Sequence, residues 1–262
     1  MPTLAELRAE RIRLCRLSPD RALVSLDEAE EFLRDRRLLT LVPDSSLPSL
    51  FGAIHEEPYA PGKAGFGSWP KTKWRWGGEL AARPGVLTPK IHRGKILFLS
   101  REAATVVDPL CRESLGSAED GSLGADAAAI VRHLAAAGPS TLDALKGELG
   151  LDVKALRAAR ERLERSGAVV AKEALVPVGI EPAHRHSSTL ARWDQVWTQR
   201  RKASAAGALD DLVVLAVRAA VVTHQDDVKT CFSWPVLSSA IERLISLGRL
   251  SRPGPGWVSA VQ

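Results

Sequence analysis

Nine Lys or Arg residues fall between positions 60 and 101, against one acid, Glu79. They are Lys63, Lys71, Lys73, Arg75, Arg83, Lys90, Arg93, Lys95 and Arg101. The chain nets +5, so this stretch carries +8 and the remainder −3. Phe66, Trp69, Trp74 and Trp76 are interleaved with the cations. Cations at such a surface neutralise phosphates and release counterions. Flat rings stack on bases or wedge between them. The plain alternative is a solvated basic face whose Trp rings belong to a core. On the first reading, Lys63, Lys71, Lys73 and Arg75 meet phosphates, helped by the N-terminus of a following helix. Lys90, His92, Arg93 and Lys95 form a basic wing set against a groove. Arg157 and Arg160 extend the track, because residues three apart share a helix face.

Candidate acids and metal ligands are few. Asp44 opens Asp-Ser-Ser, an ordinary helix N-cap, and is also, with Glu56 and Glu57, a carboxylate near the basic stretch that could act on a water. Glu56 and Glu57 just precede the basic loop and read as charges offsetting it. His55-Glu56-Glu57 begins like a zinc-protease motif, but Tyr59 stands where the second His belongs. His184 and His186 are the only close pair of histidines, with no third ligand placed beside them. No P-loop, no dinucleotide fingerprint and no Gly-x-Ser-x-Gly is present. No cofactor and no metal are therefore expected.

The bulk composition sets the frame. The chain has 262 residues, 45% hydrophobic and 26% charged, which suits a soluble globular protein of one to three domains. No apolar run is long enough to span a bilayer, and the first ten residues carry no signal-peptide pattern. Cys15, Cys111 and Cys231 are widely spaced and form no CxxC pair, which fits reduced thiols in a cytoplasmic setting.

The elements follow from caps and breakers. Thr3 to Leu17 reads as an amphipathic helix ended by Ser18-Pro19. Ser25-Leu26-Asp27-Glu28 is a capping box opening a helix that runs on to Pro43. Leu47 to Ile54 is a short helix, and 58–69 a Gly/Pro-rich loop. Thr72 to Ala82 is a helix stopped by Arg83-Pro84-Gly85. Val86 to Ile91 and Lys95 to Leu99 pair about a turn at Gly94. No element is assigned between Arg101 and Ala125. Ala125–Ala137, Thr141–Leu149 and Val153–Arg165 are then helices, closed by Gly138, Gly150 and Gly167. Ala168 to Val178 follows as a β-prone segment with a turn near Lys172-Glu173. Ser187-Ser188 caps a connecting helix bearing Leu190, Trp193 and Trp197, with Arg200-Arg201-Lys202 as its basic tail. Leu209–Val222 and Ser233–Leu247 are helices, and the chain folds back through Pro253 to Gly256.

Helix end, Gly, strand recurs at Pro84-Gly85-Val86, Ser166-Gly167-Ala168 and Leu247-Gly248-Arg249. Two or three helices followed by a hairpin form the winged-helix arrangement. The expected fold is α+β, mainly helical, with three tandem winged-helix units carrying small hairpins. Unit 1 with an N-terminal helix spans 1–118, unit 2 119–180, and the connecting helix with unit 3 181–262.

The order Leu38-Leu39-Thr40-Leu41, Leu50-Phe51, Trp74 to Leu80, Pro84-Gly85 and a basic hairpin ending Phe98-Leu99-Ser100-Arg101 resembles the AlkZ-like (YcaQ-like) DNA glycosylase family. The resemblance implies tandem winged helices cradling duplex DNA, excision of bulky alkylated or crosslinked bases, and a hairpin that probes the duplex. Active members carry Gln-hydrophobic-Asp or Gln-hydrophobic-Gln after such a Leu-Leu pair, and the last residue positions the attacking water. Here those places hold Thr40 and Val42. The expected partner is double-stranded DNA, bound by a monomer. Three classes stay open: a non-catalytic duplex or damage binder, a glycosylase using Asp44 or a Glu near the loop, and a protein-interaction module.

Overall fold

The computed structural model describes residues 2–177 and 184–261, with the backbone alone for 173–177 and 184–187. Among these residues the chain forms one motif three times. In the middle copy, helix α6 (Ala125–Ala137) leads into a short strand β3 (Ser140–Thr141). Helices α7 (Leu142–Leu149) and α8 (Val153–Ser166) follow, then strands β4 (Val169–Pro177) and β5 (His184–Arg192). The sheet order is β3-β5-β4, all antiparallel. Local chemistry sets the boundaries. Thr141 and Asp152 accept from backbone N–H groups in the first turns of α7 and α8, and Gly150 and Gly167 end them in the left-handed conformation.

The C-terminal copy repeats this plan. Helix α10 (Ala205–Ala220), strand β6 (Val222–His224), helices α11 (Gln225–Cys231) and α12 (Ser238–Ser246), and strands β7 (Leu250–Gly254) and β8 (Trp257–Ala260) give the order β6-β8-β7. The first copy is looser. Helix α2 (Leu26–Arg36), strand β1 (Leu38–Thr40), helices α3 (Leu50–Ile54) and α4 (Trp76–Ala81), and strand β2 (Leu97–Leu99) follow in turn. β1 pairs with β2, and Leu87 bridges β2 on its other side. Thr88-Pro89 then breaks the ladder, because proline has no N–H to donate. The fold is thus mainly helical α+β, three winged helices in tandem.

Each unit has its own core, the first around Phe32, Leu39, Phe51 and Phe98, the second around Ile130, Leu145 and Leu163, the third around Val217, Ile241 and Val258. A fourth cluster lies between them. It is built on helix α5 (Arg101–Glu119), to which no element was assigned from sequence. α5 packs against α10, and Val107, Leu110 and Cys111 join Trp193, Leu212 and Ala216 there. Helix α1 (Leu4–Leu14), capped reciprocally by Thr3 and Glu6, lies against the third unit, with Arg8 stacked on Trp257 at 4.5 Å.

Five expectations change. The segment expected to be a connecting helix is strand β5, which pairs along its length with β4. Only Trp193–Val196 is helical (α9). Thr189 and Leu190 pair with both β3 and β4, so tertiary pairing outweighs the local cap signal of Ser187-Ser188. β4 runs through Lys172-Glu173 without a turn. Arg200-Arg201-Lys202 lies outside any helix. Leu38 to Thr40 is strand, because β2 supplies a partner 59 residues away. The capping box is half formed: Ser25 caps Glu28 N–H, while Glu28 accepts from Val24 N–H instead.

Candidate nucleic-acid interface

The wing of unit 1 turns at Arg93-Gly94, both with positive φ (50° and 74°), and Lys95 N–H donates to His92 O at 2.7 Å. Two left-handed residues make the turn that matches strand twist, and Gly94 takes its place without strain. The wing's cations do not face solvent alone. Lys95 Nζ donates to Asp44 Oδ2 at 2.6 Å, and His92 Nε2 donates to Asp44 Oδ1 at 2.9 Å. Arg93 donates to Asp44 O (2.5 Å), to Asp227 Oδ1 (2.5 Å) and to Thr230. Lys90 Nζ reaches Glu164 Oε2 on α8 at 2.9 Å. His92 is 0% exposed, so it meets no groove. The wing is clasped between units 2 and 3 by carboxylates at positions 44, 164 and 227. A charge count over 60–101 misses all three, since they are remote in sequence.

Asp44 is therefore no helix cap. Ser49 caps α3, and both Asp44 oxygens hold the wing. Burial acts to raise the Asp44 pKa, but the hydrogen bonds and charge of Lys95 and His92 outweigh it and keep the carboxyl below its ordinary value. Asp227 behaves likewise: burial opposes, and bonds from Ser46 and Arg93 win.

The nearby thiol–imidazole–carboxylate line has the connectivity of a nucleophile relay, since His92 Nδ1 lies 3.5 Å from Cys231 Sγ. Burial, then the charge of Asp227, pushes the Cys231 thiol far up. A buried thiol held protonated beside a fully covered imidazole is packing, not a nucleophile.

The loop 58–76 is the opposite case. Tyr59 N–H to Trp69 O (2.6 Å), Ala60 N–H to Gly67 O (2.8 Å) and Lys71 N–H to Glu57 O (3.0 Å) close it into a protrusion. Glu56 anchors its return by accepting from Thr72 N–H (3.0 Å) and Lys73 N–H (3.1 Å). Rings run outward from the core. Phe51 meets Trp69 at 5.4 Å, and Phe66 touches Trp69 (5.0 Å), Trp74 (5.5 Å) and Tyr59 (5.3 Å). Tyr59 and Phe66 end the chain of rings, 54% and 45% exposed. Arg75 lies over Trp74 at 4.9 Å. Lys73 donates to Leu23 O (3.0 Å) and stacks on Trp76. Lys63, Lys71 and Arg75 are exposed and have no carboxylate partner among the described residues. α4 starts at Trp76 rather than Thr72, so the three cations precede the helix.

On α8, Arg157 is exposed, whereas Arg160 is drawn in toward Glu164 Oε1 and Ser188 Oγ (both 3.3 Å). The pair shares a helix but not an environment. Trp193 and Trp197 are core residues, as their spacing suggested. His184 and His186 lie two apart on β5, and their side chains fall outside the described residues. Among the described residues no group of three His, Cys, Asp or Glu is placed to hold a metal, and no helix is long and apolar enough to cross a membrane. Sequence reasoning missed Asp227 and Glu164 as partners of the wing, and Tyr59 as an exposed ring. Tyr59 had a usable signal, an aromatic set between Pro58 and Pro61 in a basic loop.

The second and third sheets share one strand order, the first is a two-stranded pair, and this tandem arrangement has a counterpart among solved structures. The DNA glycosylase AlkZ of Streptomyces sahachiroi matches with a TM-score of 0.55, over 95% of this chain and 67% of that one, at 12% sequence identity. The fold is AlkZ-like. No protein-family model matches the chain, and no curated protein matches it in sequence. Within this AlkZ-like fold, Thr40 ends β1 fully buried, its hydroxyl donating to Val42 O at 2.9 Å.

Proposed function

We propose that this protein binds duplex DNA through the protrusion of residues 58–76, without base excision. Lys63, Lys71 and Arg75 contact phosphates, Arg157 extends the track, and Tyr59 and Phe66 stack on or wedge between bases. The observation that carries this reading is the exposed ring pair flanked by cations that no carboxylate among the described residues neutralises. Neutralised cations release no counterions on binding DNA, whereas these three do. The AlkZ-like fold supports a duplex as the polyanion. The non-catalytic half rests on Thr40 and Val42, which the resemblance puts at the two motif places, Val42 at the water-positioning one, and on Asp44, whose two oxygens are occupied by the wing. A valine neither accepts a proton nor orients a water.

Fluorescence anisotropy with a short duplex across a salt series tests the binding. Each lost phosphate contact lowers the slope of log K against log salt by about 0.9, so Lys63→Glu/Lys71→Glu/Arg75→Glu lowers it by two to three such steps, about 2–3. Tyr59→Ala/Phe66→Ala weakens binding with the slope unchanged. Binding that ignores salt and both variants sinks the reading and leaves the ring pair as a protein-docking face. Release of an alkylated base from a lesion duplex, abolished in Asp44→Asn, overturns the non-catalytic half and makes Asp44 the catalytic residue.

A further inference from the structure

A cleft of about 560 Å³ lies between α5, α10 and the C-terminal hairpin, on elements separate from the protrusion. Three arginines line it: Arg201 from the segment before α10, Arg218 from the last turn of α10, and Arg249 at the start of the hairpin. Asp211 is the one acid among them, and it accepts from Arg249 Nη2 at 2.6 Å and from Arg201 Nη2. Val106 and Leu215 supply an apolar wall. Asp211, Leu215 and Arg218 are spaced four and three apart, so α10 presents acid, apolar residue and cation on one face.

Two arginines would suffice to hold Asp211. The third, Arg218, is exposed and has no carboxylate partner among the described residues. The negative end of the α10 dipole favours a cation there, while Arg201 and Arg249 line the same cleft paired with Asp211. Asp211 offsets one of the three charges, and the two left over repel unless a further anion joins them.

We propose that this cleft is a binding site for a phosphate monoester carried on a small apolar or aromatic body. Three guanidiniums and one carboxylate leave two net positive charges, which a phosphate monoester at neutral pH, about −1.5 to −2, matches. A carboxylate would cancel one of them. Arginine forks take phosphate oxygens in pairs and stack on flat rings. The volume is that of a small-molecule site. The site does not depend on the DNA-binding reading.

Isothermal titration of the full chain at low salt, with adenosine 5′-monophosphate and with adenosine as the phosphate-free control, tests the site. The monophosphate is expected to bind with Kd below about 1 mM, and adenosine to give no saturation over the same range. Arg218→Ala, at an exposed position, is expected to weaken the monophosphate at least about tenfold with an unchanged melting curve. Competition with 5′-phosphorylated and 5′-hydroxyl duplexes separates the two sources of the phosphate. Displacement by the phosphorylated duplex alone assigns the site to a strand end, and displacement by neither assigns it to a free phosphate ester. No monophosphate binding up to about 10 mM, or binding untouched by Arg218→Ala, overturns the proposal.

Discussion

Asp108 is a buried side chain at the molecule's centre that holds three donors. It is 0% exposed and accepts from Arg112 Nε (2.8 Å), Trp193 Nε1 (2.9 Å) and Arg201 N–H (3.0 Å). One carboxylate thus joins α5, the junction after β5 and the segment leading to α10. Removing it leaves an indole N–H and a backbone N–H without an acceptor in a dry site and takes the ion-pair partner from Arg112, which keeps Trp197 O and Gln199 O. Asp108→Ala is expected to lower stability by about 3 kcal/mol, read from urea midpoints, with Asp108→Asn losing less because its carbonyl still accepts. The carboxyls of Asp44 and Asp227 both titrate below their ordinary value. A depressed folded-state pKa contributes stability that is fully present above the unfolded pKa, near 4, and is lost as pH falls through the folded value. From these two groups the denaturation midpoint is expected to be flat between about pH 5 and 7 and to fall below about pH 4. Asp44→Asn should flatten that acid limb, and an unchanged limb in the variant would exclude Asp44 from it. These residues were visible as carboxylates in the sequence, but their partners lie as many as 181 positions away, and no local pattern reports such a pairing.

At the scale of elements, α5 defied its own composition. Pro109 sits inside it, and an interior proline costs a helix about 3 kcal/mol. What restores the helix is burial: Ala103, Ala104, Val107, Leu110, Cys111, Leu115 and Ala118 are all covered by other units. Helix α8 is the contrasting case, with Asp152 and Gly167 marking its ends in the sequence as in the structure. Gly167 does more than stop it. Its φ is +82°, and a Cβ there would stand 2.9 Å from Cys111 Sγ and 3.1 Å from Ile91 Cγ2. Gly167→Ala is therefore expected to cost at least about 2 kcal/mol, combining left-handed strain with overpacking, measured by thermal or urea unfolding. A cost under about 0.5 kcal/mol would mean that α5 and the wing of unit 1 move aside freely.

Across the whole molecule, the wing of unit 1 is an internal fastener. Arg93 bridges Asp44 of its own unit to Asp227 and Thr230 of the third, where Asp227 also takes Ser46 N–H at 2.5 Å. Arg93→Ala is expected to speed amide exchange about ten- to a hundredfold at residues 44–49 and 222–231, while unit 2 keeps its protection. Exchange measured by mass spectrometry reads this directly, and uniform loosening of all three units would show instead that Arg93 supports global stability. Reversing the charges of Lys90, Arg93 and Lys95 together would turn three attractive contacts into repulsive ones, so that variant reports on folding before it reports on DNA.

The amino-acid sequence determined what is local. Caps, C-terminal glycines and the repeated helix–Gly–strand phrase are short-range signals, and they placed α6, α8 and the winged-helix plan. Tertiary structure alone decided which charges remain free. A run of cations looks uniform in sequence, yet Lys90, Arg93 and Lys95 meet acids brought from positions 44, 164 and 227, while Lys63, Lys71 and Arg75 meet none among the described residues. Electrostatic pairing depends on distance through space, and only the packed units set that distance.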